Sequence, residues 1–218
     1  MVRGFYMLTS GMLTQNRILD TVSNNMANAE TNGYKAQHLS SRTFGEIMLD
    51  RIDSQRTPIG KTTLMATAAD KTDTDFSQGA FSSTGRNLDF AVSGDGFFAV
   101  QGNGGTYYTR NGSFNLDNNG YLVLNGVGRI LGKDGQPIRL GTDNVACDRE
   151  GNLFVGNQLA GSIGIYQFPD NAALNTVDEG LFQGGNATLK QAPQIVWKSV
   201  ESSNADMGEE LTHGIASQ

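Results

Sequence analysis

The chain has one cysteine, Cys147, two histidines, His38 and His213, four prolines and only 17% charged residues among 218. A lone thiol excludes an intrachain disulfide and a cysteine metal cluster. Neither histidine has the spacing to a second ligand that a metal site needs. No run reaches the roughly 18 consecutive apolar residues of a membrane span. The start lacks a basic region, an apolar core and a small-residue cleavage site, so neither a cleaved secretory signal nor membrane insertion is expected. The 16 lysines and arginines are scattered among 22 acids. With no basic run to neutralise phosphates, nucleic acid is not an expected partner. What abounds is glycine, 28 residues or about 13% where about 7% is usual. Beside so little proline, it points to many turns in an ordered protein. Apolar content, 38%, is modest for this length, as though part of the chain did not pack on its own.

The first 35 residues read as a helical segment. Phe5, Leu8, Met12, Leu19, Val22 and Met26, with Gln15 in the gap, step by three and four residues, the spacing of a heptad seam that expects a partner helix. Gly11 costs about 1 kcal/mol relative to alanine, and a helix alone in water is marginal. Burying each seam residue gains roughly 1.5 to 3 kcal/mol, but ordering every residue costs about 1 to 2 kcal/mol. The helix is therefore expected to order on assembly. Thr31-Asn32-Gly33 supplies residues that accept a left-handed backbone beyond the helix end. Residues 36–75 are polar and read as an extended connector, with a short helix near Phe44 to Ile52.

From residue 76 to 185 short apolar runs alternate with turn pairs, the pattern of an all-β domain. The runs are Leu88–Val92, Phe97–Val100, Tyr107–Thr109, Ser113–Leu116, Tyr121–Leu124, Asn144–Cys147, Leu153–Val155 and Ser162–Phe168. Gly94, Gly96, Asn111-Gly112, Asn119-Gly120, Asn125-Gly126 and Asp134-Gly135 are expected to supply positive φ in tight hairpins. Residues 186–218 return to a helical period through Trp197, Val200, Asn204, Met207, Leu211 and Gly214. The fold class is thus mainly β, with a glycine-rich centre flanked by terminal helices that pair as a coiled coil on assembly.

Chemistry is sparse. Asp70, Asp73 and Asp75 open like a calcium loop, but Gln78 and Thr84 stand where the loop requires Gly and Glu. Gly102, Gly104 and Gly105 lack the Lys-Ser/Thr ending of a phosphate loop and read as a hairpin. Asp89, Asp95, Asp117, Asp148 and Glu150 could be weighed as a glycosidase pair, but most lie beside turn glycines, where Asp serves local hydrogen bonding. Cys147 reads as a structural thiol. No catalytic, metal or cofactor-binding residue is expected. A carbohydrate-binding or adhesive module would need an aromatic platform from Phe97-Phe98 or Tyr107-Tyr108, and strand alternation predicts that one of each pair is buried.

Four blocks resemble the bacterial flagellar basal-body rod and hook family. They are Ser23-Asn24-Asn25-Met26-Ala27-Asn28-Ala29-Glu30-Thr31-Asn32-Gly33-Tyr34-Lys35, the run from Gly79 through Arg86-Asn87-Leu88-Asp89 to Val100, Tyr108-Thr109-Arg110-Asn111-Gly112-Ser113-Phe114, and Ser203-Asn204 through Leu211-Thr212. The resemblance implies a structural axial subunit, not an enzyme and with no cofactor. Such a subunit would be exported unfolded by the flagellar type III apparatus, polymerised into a helical tube outside the cytoplasmic membrane, and would transmit torque. Its partners would be copies of itself, other rod and hook subunits and the export apparatus. The single β domain looks more like a distal or proximal-distal junction rod subunit than a hook subunit. Family members continue with a further helical stretch where this sequence stops at Ser217-Gln218.

Within that reading Phe5, Leu8, Met12, Leu19, Val22, Asn24, Asn25, Met26, Asn28, Asn204, Met207 and Leu211 form the assembly interface. Asn32, Gly33, Gly94, Gly96, Asn111 and Gly112 shape turns. Buried asparagine amides can fix register between helices, so Asn25→Ala is expected to spare the monomer's fold and impair polymerisation.

Overall fold

The computed structural model describes residues 2–43, 47–52, 56–62, 67–169, 174–178 and 180–216, with side chains described in α1 from Leu8 onward. Two compact units emerge: a terminal unit of Met1–Met26, Gln37–Asp75 and Met207–Gln218, and a β unit of Ala27–Ala36 and Phe76–Asp206.

In the terminal unit, helix α1 runs Val2–Ala27. Strands β1 (Gln37–Thr43), β2 (Ile47–Ile52), β3 (Arg56–Thr62) and β4 (Thr67–Thr74) follow. β1 pairs antiparallel with β4, Gln37 opposite Thr74, and β2 with β3, Ile47 opposite Thr62. The expected connector is therefore made of paired strands. The expected short helix is not formed over Ile47–Ile52, which is β2; residues 44–46 lie outside the described residues. Threonine and isoleucine favour extended backbone there, and Pro58 sits beside the register shift at Leu49/Asp50, where a missing N–H is tolerated.

The β unit begins with β5 (Phe81–Ser83), β6 (Phe90–Ser93), β7 (Phe97–Gly102), β8 (Gly105–Thr109) and β9 (Asn115–Leu116). It continues with β10 (Leu122–Leu124), β11 (Gly128–Ile130), β12 (Val145–Cys147), β13 (Asn152–Val155), β14 (Gln158–Ser162) and β15 (Ile165–Gln167). The last are β16 (Asn175–Asp178), β17 (Leu181–Gln183), β18 (Thr188–Leu189), β19 (Gln194–Trp197) and β20 (Ser199–Glu201). The main sheet runs β16-β17-β8-β7-β11-β10-β9, with β15 bridging β7 and β18. β12-β13-β14 form a second sheet, and the pairs β6–β19 and β5–β20 join early and late parts of the chain.

Alternation along β7 sends Phe98 and Val100 into a large apolar core with Phe90, Phe114 and Ile130, and Phe97 and Ala99 into a second cluster with Tyr108, Leu131 and Phe182. Phe97 and Phe98 are both buried, at 1% and 0% exposure, because both faces of the sheet are covered. The one-buried, one-exposed expectation fails for this pair, and no platform forms there. Edge-to-face contacts such as Phe76–Phe182 at 5.2 Å and Tyr108–Phe168 at 4.8 Å fill the second cluster.

The C-terminal helical expectation needs correction. Trp197 lies on β19 opposite Phe90, and Val200 on β20 opposite Ser82; helix α2 spans only Met207–Ala216. Lys198, at φ 58°, turns the chain between the two strands. The segment Ile195-Val196-Trp197 is β-branched and aromatic, so strand pairing overrides the three-residue spacing that suggested a helix.

Candidate functional site: a buried junction where the motifs meet

Beyond α1 the chain makes a compact turn. Thr31 N–H donates to Asn28 O at 3.1 Å, Thr31 Oγ1 donates to Asn28 Oδ1 at 3.1 Å, and Tyr34 N–H reaches Thr31 O at 3.3 Å. Gly33 then adopts φ +70° and donates its N–H to Glu201 O at 2.7 Å. A Cβ on Gly33 would lie 2.3 Å from Arg110 C and Asn111 N, so only glycine lets the segment press on that peptide. Gly33 thus serves a close approach six residues past the last helical residue, not a helix cap.

This seating delivers Lys35 into the β unit. Its side chain is fully buried, with Nζ 2.5 Å from Glu201 Oε1 and donating to Ser77 O at 2.6 Å. Glu201 Oε1 also accepts from Gly79 N at 3.1 Å, and Oε2 from Arg110 Nη1 at 3.1 Å. The Arg110 guanidinium lies 5.1 Å from the Phe97 ring centre, a cation–π placement, and its Nε is buried without a hydrogen-bond partner. Beside this cluster Asn204 Oδ1 accepts from Ala36 N at 2.7 Å, while Nδ2 donates to Ser77 O at 3.3 Å and Ser77 Oγ at 3.0 Å. A Cβ on Gly79 would fall 2.1 Å from Ser202 O. Burying charges costs several kcal/mol each unless geometry and additional hydrogen bonds compensate. Here both carboxylate oxygens of Glu201 are engaged, and each quoted sequence block supplies at least one member of the junction.

Lys35, Arg110 and Glu201 were not singled out from sequence. Lys35 and Arg110 stand inside quoted blocks, and the one local clue to Glu201 was its place just after the β-branched and aromatic residues Ile195, Val196, Trp197 and Val200. Nothing local, however, links residues 166 positions apart.

Asn25 is fully buried in the terminal unit. Its Oδ1 accepts from Gln37 N at 3.0 Å, and Nδ2 donates to Gln37 O at 2.8 Å and to Glu210 Oε1 at 2.8 Å. Those bonds are within the chain, so the expectation that Asn25→Ala spares the monomer's fold gives way to a role in holding α1, β1 and α2 together. Asn28 is buried in the turn described above, and Asn24 is exposed. Val22 is buried, and Leu19 and Met26 are half-buried. Leu8 and Met12 on α1 are 69% and 68% exposed; Met207, Leu211 and Ile215 on α2 are 45%, 47% and 72% exposed. Phe5 lies in α1, and its side chain is outside the described residues.

Among the turn formers, Gly94 and Gly96 have φ +79° and +128° as expected, and Asn111 Oδ1 accepts from Ser113 N at 3.0 Å. Asn32 is half-buried between Thr31 and Gly33. Gly112 corrects the positive-φ expectation. It is absent from the left-handed region, and a Cβ there would sit 1.6 Å from Phe90 O, so close backbone approach is what requires glycine.

The acidic residues weighed for catalysis act as staples. Asp117 Oδ1 accepts from Asn119 N and Tyr121 N, and Oδ2 pairs with Arg129 at 3.0 Å. The Tyr121 N–H above all holds its carboxyl below the usual range. Asp148 closes the turn to Asn152 in the same way. Asp89 is buried 3.3 Å from Arg86 Nη1, and Asp95 and Glu150 are exposed in turns. Cys147 is half-buried on β12, and burial first, then Asp148, push its thiol up to about 12. Among the described residues no group of three His, Cys, Asp or Glu is placed to hold a metal.

Two families match. Residues 5–35 match that described as "Flagella basal body rod protein", and residues 91–178 that described as "Flagellar hook protein FlgE/F/G D1 domain". The chain is 30% identical over 239 residues to the flagellar basal-body rod protein FlgG of Bacillus subtilis, covering 100% of this chain and 90% of the relative. The chain belongs to the flagellar basal-body rod protein family. It is also 31% identical over 219 residues to the rod protein FlgF of Caulobacter vibrioides, covering 97% of this chain and 86% of the relative. With the flagellar hook-basal body complex protein FlhO of Bacillus subtilis it shares 32% over 189 residues, covering 78% and 69%. These are structural families, not catalytic ones, and they set this rod-family chain in the flagellar basal body. The first match ends on Lys35, the lysine of the buried junction. No described helix is long and apolar enough to cross a membrane.

Proposed function

We propose that this rod-family chain is an axial subunit exported unfolded by the flagellar type III apparatus and polymerised, with rod and hook subunits as neighbours, into a helical tube that transmits torque. Its terminal helices pair as a coiled coil in the inner layer, where the assembly residues Phe5, Leu8, Met12, Leu19, Val22, Asn24, Met26, Met207 and Leu211 meet other subunits. The observation that supports this reading is the row of large apolar side chains left open on α1 and α2, Leu8, Met12, Met207, Leu211 and Ile215. A monomer gains nothing from them, whereas neighbouring helices would bury them.

Electron microscopy of the concentrated protein, alone and mixed with a neighbouring rod subunit, tests the proposal. Ordered tubes that disappear in a Leu8→Ser/Met12→Ser variant are expected. A wild-type protein that stays monomeric in both settings would overturn it. For export and torque, cells carrying the double variant should secrete the chain and yet fail to swim; normal swimming would contradict the inner-layer role.

A further inference from the structure

Asparagine is thermolabile, and before glycine it reacts most readily. The glycine backbone N attacks the asparagine side-chain carbonyl carbon, ammonia leaves, and water opens the resulting succinimide to aspartate or isoaspartate. Nothing is oxidised or reduced; amide and water become acid and ammonia. A glycine N–H already held in a hydrogen bond, or buried in packed backbone, must first be released by local opening.

The sequence has five Asn-Gly pairs, and the structure separates them. At Asn32-Gly33 the glycine N–H donates to Glu201 O at 2.7 Å and the residue is buried. Gly112 of Asn111-Gly112 is buried against Phe90 O, and the Asn111 carbonyl oxygen is held by Ser113 N. Gly120 of Asn119-Gly120 donates its N–H to Asp117 O at 2.9 Å. The other two pairs differ. Asn103-Gly104 is the exposed two-residue tip of the β7–β8 hairpin, and Asn125-Gly126 the exposed turn closed by Val127 N donating to Leu124 O at 3.1 Å. No hydrogen bond is made by either asparagine side chain or by Gly104 N or Gly126 N among the described residues. The two tips are neighbours, since Gly102 faces Gly105 across β7–β8 and Gly128 across β7–β11.

We propose that Asn103 and Asn125 are the deamidation sites of the folded protein. The product sets two new carboxylates side by side at one end of the main sheet, on a chain whose formal net charge is already −6. In a subunit that stays in place after assembly, the modification would accumulate with age.

The test is to age the purified full-length protein in mildly alkaline buffer and map it by fragmentation mass spectrometry that resolves each asparagine. Asn103 and Asn125 should convert at least about tenfold faster than Asn32, Asn111 and Asn119, a ratio equal to about 1.4 kcal/mol of local opening. In urea the five rates should converge. Asn103→Gln/Asn125→Gln, which removes no described hydrogen bond, should abolish the early ammonia release of the folded protein. Conversion of Asn32, Asn111 or Asn119 as fast as the two tips in folded protein would overturn the proposal. Undiminished ammonia release from the double variant would do so as well.

Discussion

In the β unit most large side chains face inward: Phe90, Phe97, Phe98, Phe114 and Phe182 are at most 1% exposed against the open Phe81, Leu159 and Val177, and the buried charges of Lys35, Arg110 and Glu201 are set against one another. On the helices of the terminal unit Leu8, Met12 and Ile215 are 68% or more exposed, and the burial around Asn25 is concentrated at one end of α1. A sheet covered on both faces satisfies its own apolar surface and can be stable alone. A helix with an open seam depends on what it meets later. The contrast locates self-sufficiency in one region and dependence on assembly in the other.

The largest expected effect comes from breaking the buried junction. Glu201→Ala leaves Lys35 and Arg110 buried without their shared carboxylate and should cost about 3 to 5 kcal/mol. Trp197, the chain's one tryptophan, is half-buried on β19 and reports this by fluorescence during denaturant unfolding. An unchanged midpoint would show that the β unit does not rest on this junction. Asn25→Ala should cost about 1 to 3 kcal/mol, because the Gln37 amide and the Glu210 carboxylate lose a partner. The loss should appear as faster amide exchange at the end of α1, with the Trp197 transition unmoved. If the two transitions shifted together, the units would not be energetically separate.

The β unit also carries a pH signature. Burial raises Cys147 to about 12, so between its ordinary value of 9.0 and about 12 the unfolded chain loses a proton that the folded chain keeps. Stability is complete below pH 9 and falls as pH rises through that window. For Asp117 the sign is opposite: its lowered value gives stability present above the unfolded carboxylate range and lost as the folded group protonates in acid. Denaturation midpoints of wild type and Cys147→Ala across alkaline pH check the first: the variant should lose the decline that begins near pH 9 and keep the later one from Tyr108 and Tyr166, whose phenols burial also raises. The smallest effect on the monomer is expected from Leu8→Ser/Met12→Ser, within about 0.5 kcal/mol of wild type, since both positions are exposed. A larger loss would mean that the seam is already covered in the monomer.

The β unit was legible where its signals are local. Turn glycines at 120 and 126, alternating with short apolar runs, specify the hairpins β9–β10 and β10–β11 from neighbours a few residues apart, and those strands form; Gly94 and Gly96 turn the chain between β6 and β7, which pair with other strands. Legibility failed where a partner lies far along the chain. Trp197 and Val200 fit a helical spacing until β6 and β5, about a hundred residues earlier, take their segments as strands. The segments of β1 and β4 read only as an extended connector because their pairs are mostly polar and their register is not written in hydrophobic alternation. The Lys35–Glu201–Arg110 junction is the extreme case. Each residue is an ordinary surface-type side chain in sequence, and only the approach of Gly33 to the Arg110 backbone brings them together.

Hydrogen exchange on the free monomer and on the assembled tube tests the contrast most directly. Residues 8–20 of α1 and 207–216 of α2 should exchange rapidly in the monomer and slow by orders of magnitude in the tube, while β6, β7 and β8 are equally protected in both. Strong protection of α1 in the monomer, or no gain on assembly, would contradict the view that the terminal unit is completed by its neighbours.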